Sequence, residues 1–478
     1  MSRPILRPAG FAAPDAKEFA AEVAGHPFFE ASRDVVIARA PGRLDLMGGI
    51  ADYSGSLVLQ WPLREATLVA AQQAGDGRLR ATSLGSGSGD SRSCDLAVED
   101  LFPGGQPVEL DHARRFFAER PADGWAAYVF GVLVVLAREK GLRNLEGLRL
   151  LIRSSVPEGK GVSSSAALEV AVMQAVAAAL DLSLEPRDLA LLAQTVENRV
   201  VGAACGVMDQ MTASCGEADQ LLALLCQPAE LRGMVAVPPD LEVWGIDSGV
   251  QHAVSGSDYT SVRVGAFMGA RILAERAGLK VLPGSRPGTV GIEDTRWGGY
   301  LANVTPSELE GGTLGDLPAG MAGALFLATY EGISDAVTRV DPAREYSVRA
   351  CAAHPVHEHF RVRAFAELLQ TPASERRSEL LGELMYQSHA SYTACGLGAE
   401  ATDLLVALVR TAGVAQGFFG AKITGGGSGG TVAVLGRRGA DIGRIAQAYE
   451  ARTGHRPRVF SGSSSGSAAF GTLRLGSA

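Results

Sequence analysis

The chain has 478 residues, a formal net charge of −8 at pH 7 and a sequence pI of about 5.6. This length allows two or three hydrophobic cores, and the acidic balance provides no general electrostatic attraction for nucleic acid or an anionic membrane. If the protein binds a nucleotide, a local site must hold it, because the overall charge does not attract it.

The N-terminal residues contain no apolar stretch of signal-peptide length, and polar residues interrupt the apolar helix candidates. The six cysteines include no C-x-x-C pair and are too sparse for a disulfide framework. We therefore predict a cytoplasmic protein with reduced thiols and with neither a membrane nor a nucleic-acid partner. The oligomeric state is left open between a monomer and a weak homodimer.

The first half of the chain alternates between strand and helix patterns. The patterns predict strands at residues 34–39, 57–60, 67–72, 78–82 and 148–154, and helices at 125–138, 164–180 and 186–200. The last of these helices begins with Pro186, as helix starts favour. Such mixed elements predict an α+β fold.

Prolines between two predicted strands, 221–226 and 242–247, indicate a connection between domains. We place the boundary there, which gives domains at residues 1–240 and 241–478. The second half is predicted to contain helices at 259–277, 360–369, 378–394 and 401–411, and later a strand at 431–435. Residues 282–320 are irregular in composition and are predicted to form a surface insertion.

Three glycine-bearing segments lie far apart in the chain. The first glycine segment is residues 40–53, the second is residues 157–167 and the third is residues 422–430. Glycines allow the backbone to approach a polyanion closely, and the serines of the second segment run into a predicted helix whose N-terminus favours negative charge. This combination predicts a phosphate site and a small-molecule kinase.

The second glycine segment contains G-x-G-x-S-S-S-A at Gly159 to Ala166 and resembles the ATP loop of the GHMP kinases. This superfamily includes galactokinase, homoserine kinase, mevalonate kinase and phosphomevalonate kinase, and the first and third segments resemble its other two signatures. Within it, the chain is most similar to sugar kinases of the galactokinase and plant L-arabinokinase type. The resemblance implies a two-domain α+β GHMP-kinase fold with the active site in the interdomain cleft, ATP as co-substrate and Mg²⁺ as cofactor.

The resemblance also implies residues for ATP and for the metal ion. The ATP-binding residues would be Glu158, Gly159, Lys160, Gly161, Val162, Ser163, Ser164, Ser165, Ala166, Gly426 and Gly427. Lys422 would help the third segment to close over the phosphates. Ser165 and Glu197 would hold Mg²⁺, since hydroxyl and carboxylate oxygens suit that ion.

Asp209 and Arg43 are the catalytic candidates that the resemblance implies. Asp209 would accept the proton of an anomeric hydroxyl or position that hydroxyl, and the sequence does not decide between these roles. Arg43 would neutralise charge on the transferred phosphoryl group. The sugar-binding residues would be Arg43, Gly49, Ile50, Asp52, Tyr53, Asp209 and Tyr259.

Galactokinases have Glu and His where this chain has Gly49 and Ile50. The loss of these polar groups predicts a sugar without an exocyclic hydroxymethyl group, which makes L-arabinose the expected substrate. D-Galactose is the alternative substrate. A second alternative is that the protein is a galactokinase-like sugar sensor with weak turnover. A cluster of histidines at residues 354–359 is expected to be solvated and is left out of the site.

Overall fold

The computed structural model describes residues 5–6, 13–85, 91–143, 145–250, 257–311 and 317–477. The strands of its first half are β1 (Ile5–Leu6), β2 (Val35–Met47), β3 (Leu57–Gln73), β4 (Arg78–Leu84), β5 (Arg92–Ala97), β6 (Leu148–Ser154), β7 (Gln220–Leu225) and β8 (Glu230–Ala236). The helices there are α1 (Pro14–Ala24), α2 (Val98–Leu101), α3 (Leu110–Ala118), α4 (Ala127–Lys140), α5 (Ser164–Ala179), α6 (Pro186–Thr195) and α7 (Met208–Cys215). Short 3₁₀ turns lie at Gly49–Ser54, Pro103–Gly105 and Pro121–Ala126, and a π-helical turn lies at Val196–Val201.

The second half continues with the strands β9 (Leu241–Asp247), β10 (Lys280–Pro283), β11 (Val290–Glu293), β12 (Met321–Ala322), β13 (Glu345–Tyr346), β14 (Phe418–Ile423), β15 (Thr431–Arg437), β16 (Val459–Ser461) and β17 (Leu473–Leu475). Its helices are α8 (Ser257–Arg276), α9 (Pro306–Glu310), α10 (Gly323–Tyr330), α11 (Val348–Leu369), α12 (Glu375–Ala394), α13 (Glu400–Ala412), α14 (Ile442–Thr453) and α15 (Ser467–Phe470). 3₁₀ turns lie at Leu301–Asn303 and Val414–Gln416.

Most strands of the described chain join two sheets. The first sheet has the order β1-β17-β2-β3-β6-β4-β5, with β7 pairing β3 and β8 pairing β7. Its pairs are antiparallel except for β4 and β6, which are parallel. The second sheet has the order β14-β15-β9-β16. This mixture of helices and sheets confirms the predicted α+β class.

The chain crosses between the two sheets more than once. The first sheet takes strands up to β8, and the second begins with β9 at Leu241. The last strand, β17, then returns to the first sheet and pairs Leu473 with Ile37 of β2. The division of the chain at residue 240 stays a prediction, since the end of the second half belongs to the first sheet.

Two predicted elements are shorter than the observed ones, and each observed element contains a proline. The strands predicted at 57–60 and 67–72 are one strand, β3, which contains Pro62, and its pairing with β2 shifts register between the pairs Pro41–Ala66 and Arg43–Pro62. The helix predicted at 360–369 starts twelve residues earlier, at Val348, and contains Pro355. Tertiary packing thus keeps the helix continuous through a proline, which removes one backbone hydrogen-bond donor from its interior.

The histidine cluster therefore lies on helix α11. The expectation that it is solvated is wrong for His354, which is 1% exposed and hydrogen-bonds Ser391 at 2.7 Å. Burial lowers the pKa of His354 to about 4. His359 Nδ1 accepts the Leu57 N–H at 3.0 Å. Among the described residues no cluster of His, Cys, Asp and Glu has the arrangement of a metal site.

The segment Pro121–Lys140 is long and apolar enough to cross a membrane by length and composition alone, with a mean hydropathy of 1.2. Its α-helical part, α4, packs with α5 in a hydrophobic core that includes residues of the first sheet. Phe130, Leu133 and Leu136 of α4 have no exposed surface there. Such burial is the usual reason for an apolar helix in the interior of a globular domain.

Candidate active site

The three glycine segments meet around one cavity of about 460 Å³. The predicted residues on its wall are Arg43, Ile50, Asp52, Glu158, Gly159, Gly161, Ser163, Ser164, Ser165, Glu197, Asp209, Tyr259 and Gly426. Because these residues come from strands, helix starts and loops of both halves, tertiary folding alone brings them together. The cavity is therefore the candidate active site.

Arg43 and Asp209 form the charged centre of the cavity. Arg43 lies on β2 and is 3% exposed, and Asp209 lies in the first turn of α7. Arg43 Nε donates to Asp209 Oδ1 at 2.9 Å, and Nη2 donates to Oδ2 at 2.9 Å. Arg43 Nη1 donates to the Gly161 carbonyl at 2.7 Å. One guanidinium thus joins the catalytic carboxylate candidate to the second glycine segment, and the paired hydrogen bonds fix both orientations.

The second glycine segment has the geometry of an anion cradle. Gly159 and Gly161 have φ values of 70° and 69°, which glycine adopts without strain. Ser163 caps the sixteen-residue helix α5 in a left-handed conformation, with φ 60° and ψ 48°. The Ser163 hydroxyl is buried and has no hydrogen-bond partner among the described residues. An unpaired buried hydroxyl at a helix N-terminus fits a bound phosphate oxygen.

Glu197 and Ser165 form a cluster of oxygen ligands beside the cradle. Glu197 lies in the π-helical turn after α6, a type of irregularity that is frequent at functional sites. Burial raises the pKa of Glu197 to about 7, although a hydrogen bond from Ser165 opposes this effect. Gln210 Nε2 donates to Glu197 Oε2 at 2.6 Å and to the buried Glu169 Oε2 at 3.3 Å. A hydroxyl and a carboxylate at this place fit a hard cation such as Mg²⁺.

We call the part of the cavity lined by the predicted sugar-binding residues the sugar side, and it contains Ile50 and Asp52. The Asp52 carboxylate packs directly on Gly206, where an added Cβ would lie 1.6 Å from Oδ2. Burial and the nearby Asp209 raise the pKa of Asp52 to about 7, against the opposing effect of Arg263. Ile50 thus puts an aliphatic side chain beside a carboxylate on this side of the cavity.

Helix α8 supplies the other wall of the sugar side. Tyr259 lines the cavity, and its ring meets the ring of Tyr53 edge to face at 5.8 Å between centroids. Behind them, Arg263 forms a two-bond ion pair with Asp335 at 2.7 and 2.9 Å. The Arg263 guanidinium lies 5.2 Å from the centre of the Tyr53 ring. Arg263 therefore supports this aromatic wall from behind.

Six predicted residues lie behind the wall in the described structure: Gly49, Tyr53, Lys160, Val162, Ala166 and Gly427. Val162 and Ala166 are buried members of the second segment, and Gly427 packs on Leu397. Lys160 turns away to pair with Asp247 of β9 at 3.2 Å.

Lys422 does not close over the cavity as predicted. It has no exposed surface and pairs with the equally buried Asp45 of β2. The apolar strand context of β14 points this side chain into the interior, where only a partner carboxylate makes a buried ammonium tolerable. The rest of the third segment still contributes Gly425 and Gly426 to the wall.

Sequence reasoning missed the aromatic end of the cavity. Trp125 and Tyr128 line it, and the Arg92 guanidinium of β5 lies 4.9 Å from the centre of a Trp125 ring. The spacing of three residues between Trp125 and Tyr128 puts both on one helix face, but the same spacing is typical of a core helix. No sequence pattern indicated a role for Arg92, because no strand was predicted around residue 92.

Three family models match the chain. They are the GHMP kinases N terminal domain at residues 127–217, the galactokinase galactose-binding signature at 27–73 and the GHMP kinases C terminal model at 365–455. Each matched region contributes residues to the cavity wall or to the elements that support it.

Known proteins are similar over nearly the whole chain. An L-arabinokinase of Arabidopsis thaliana is 46% identical over 94% of this chain, which spans only 47% of that longer relative. A galactokinase of Chloroflexus aggregans is 32% identical over 87% of this chain and 89% of its own length. The crystal structure of Lactococcus lactis galactokinase complexed with galactose aligns with a TM-score of 0.68 at 22% identity, covering 95% of this chain and 98% of that one.

Proposed function

The chain belongs to the galactokinase family of GHMP kinases, and on that premise we propose that it transfers the γ-phosphoryl group of ATP to the anomeric hydroxyl of a monosaccharide. The observation that carries the proposal is the contact of Arg43 with both Asp209 and the Gly161 carbonyl. It puts a carboxylate base candidate, a fixed cation and a phosphate cradle within one hydrogen-bonded unit. Phosphoryl transfer depends mainly on such positioning and charge stabilisation.

The two ends of the cavity suit the two ends of ATP. The phosphates would lie at the α5 N-terminus, where Ser163 has an unpaired hydroxyl. The base would lie among Trp125, Tyr128 and the apolar side chain of Ile152, because aromatic rings offer flat stacking surfaces. This orientation directs the γ-phosphate toward Arg43 and Asp209.

Asp209 and Arg43 have different roles in the phosphoryl transfer. As the sugar oxygen attacks the γ-phosphorus, an Asp209 carboxylate oxygen accepts its proton or aligns the hydroxyl for loss of that proton. Arg43 keeps the carboxylate in place through two hydrogen bonds and offsets the negative charge of the transferred group. ADP and a sugar 1-phosphate are the products.

Ser165 and Glu197 would hold the Mg²⁺ that accompanies ATP. When bound, Mg²⁺ neutralises phosphate charge. The fit rests on the Ser165 hydroxyl and the buried Glu197 carboxylate lying together beside the cradle. Glu197 has no cationic side chain among its described hydrogen-bond partners, and a bound cation would compensate its burial.

We propose L-arabinose as the sugar. In its pyranose form it has the configuration of D-galactose at the ring carbons but lacks the hydroxymethyl group. Support comes from Ile50, which puts an aliphatic group on the sugar side, and from the 46% identity with a plant L-arabinokinase. A buried hydroxyl left without a partner costs about 1–3 kcal/mol, so L-arabinose should be favoured over D-galactose by about ten- to a hundredfold in kcat/KM.

The experiment is ADP release with purified protein, Mg²⁺-ATP and a panel of L-arabinose, D-galactose, D-galacturonate and D-glucose. Phosphorus NMR of the product should show an anomeric phosphate. Preference for D-galactose or a uronic acid would refute L-arabinose as the sugar but leave the kinase assignment in place. Binding of sugar and ATP without ADP release would instead support a sensor.

A further inference from the structure

Gly49 faces a filled space rather than the cavity. It is buried at the start of the 3₁₀ turn that follows β2, with φ +43°, and an added Cβ would lie 1.5 Å from Tyr392 Oη and 2.7 Å from Asp45 Oδ2. Tyr392 belongs to α12 in the second half of the chain. The tyrosine hydroxyl therefore occupies the volume that a side chain at residue 49 would need.

The same hydroxyl connects two loops of the active site. Tyr392 Oη accepts the Ile50 N–H at 2.9 Å and donates to the Gly425 carbonyl at 3.1 Å. Ile50 forms part of the sugar wall, and Gly425 belongs to the third glycine segment. One side chain without exposed surface thus sets the distance between the first and third segments.

Neighbouring groups fix the Tyr392 ring. His354 meets the ring edge to face at 5.3 Å between centroids. The Lys422 ammonium lies 5.1 Å from the ring centre, and its own position is fixed by the buried Asp45. A ring enclosed in this way has little freedom to move when a larger ligand enters.

From these contacts we propose that Tyr392 is a specificity-determining residue: it holds Ile50 against the sugar and so limits the size of the substituent that the sugar ring can carry at carbon five. The proposal rests on the proposed sugar-kinase function and deepens it. Tyr392 does not line the cavity in the described structure. It therefore acts through Ile50 as a positioning residue.

Three sugars of the same ring configuration measure this limit. L-Arabinose has hydrogen at carbon five, D-fucose has a methyl group and D-galactose has a hydroxymethyl group. If the wall at Ile50 excludes sugars by their size, the unmodified enzyme should have a lower kcat/KM for both D-fucose and D-galactose than for L-arabinose. If D-fucose is used as well as L-arabinose, the limit is one of polarity alone and the proposal is overturned.

The Tyr392→Leu variant removes the hydroxyl and shortens the side chain, which leaves the Ile50 N–H unpaired and free to shift with its loop. We expect the kcat/KM ratios of D-fucose and D-galactose to L-arabinose to rise at least about tenfold, the usual scale for one added group in an apolar pocket. Tyr386→Leu is the matched control, since Tyr386 is a 9% exposed tyrosine on the same helix that packs in another core. Its sugar ratios should stay unchanged even if its melting temperature falls.

The Tyr392→Phe variant tests the same inference if the Tyr392→Leu variant does not fold. It keeps the ring and loses both hydrogen bonds, and we expect its ratios to move in the same direction by a smaller factor. Unchanged ratios in a folded Tyr392 variant would overturn the inference while sugar turnover by the unmodified enzyme upholds the proposed function. Absence of any sugar turnover by the unmodified enzyme would refute the proposed function itself.

Discussion

Arg43 and Asp209 are 166 positions apart in the chain and yet form two parallel hydrogen bonds of 2.9 Å each. The third donor of Arg43, Nη1, binds the Gly161 carbonyl. A strand residue, a helix-start residue and a loop residue are thereby held as one unit. Each side chain of this unit gives a distinct expectation for mutagenesis.

Asp209→Asn keeps the shape of the side chain and removes the basic oxygen. We expect kcat to fall by about two to four orders of magnitude, because proton acceptance is lost while the cradle is intact. ATP affinity, measured by calorimetry, should hardly change. Asp188→Asn, at an exposed aspartate paired with Lys140, is the control and should retain full turnover. Near-normal kcat in folded Asp209→Asn would remove Asp209 as the base.

Glu197→Gln replaces an anionic oxygen ligand by a neutral one. We expect activity to be abolished by a chelator and restored by Mg²⁺, and the Mg²⁺ concentration for half-maximal rate to rise in the variant. The readout is the initial rate across a Mg²⁺ titration at fixed ATP. Glu185→Gln, at the start of α6, should behave as the parent protein. An identical titration curve for Glu197→Gln would exclude Glu197 as a ligand.

Asp52 should make sugar binding depend on pH. Burial raises its pKa to about 7, so the carboxyl is protonated below that pH and accepts hydrogen bonds from sugar hydroxyls less well. We expect the sugar KM at saturating Mg²⁺-ATP to rise as the pH falls from about 8 to about 6. The Asp52→Asn variant should have a higher and flatter KM across this range, whereas Asp111→Asn, at an exposed aspartate, should follow the parent profile. A parent KM that does not vary with pH would contradict the assignment.

Lys422 gives a prediction about stability. Its pair with Asp45 is completely buried, so Lys422→Met would leave a carboxylate in the interior without its cation. We expect the free energy of unfolding to fall by about 3–5 kcal/mol. Lys280→Met breaks an exposed pair with Glu293 and should cost less than about 1 kcal/mol. Urea unfolding followed by circular dichroism compares the two variants, and equal losses would argue against a structural role for the buried pair.

Local sequence signals were sufficient to predict the family, a glycine- and serine-rich loop at a helix start and most of the elements. The cradle could be predicted because its glycines, serines and helix start are contiguous in the chain, and backbone amides at a helix N-terminus act without distant partners. The α+β class followed from alternating periodicities for the same reason. The elements predicted around Pro62 and Pro355 are shorter than the observed ones, because tertiary packing keeps β3 and α11 continuous through a residue that lacks a backbone N–H donor.

Tertiary structure alone decided which side chains line the cavity. Tyr392 meets Ile50 across 342 positions of sequence, and Lys422 meets Asp45 across 377. No local pattern encodes such contacts, because they depend on how two sheets and their helices pack. The sequence by itself therefore predicted the chemistry of a sugar kinase, whereas the packing of α12 and β14 against the first glycine segment decided the shape of the cavity wall at Ile50.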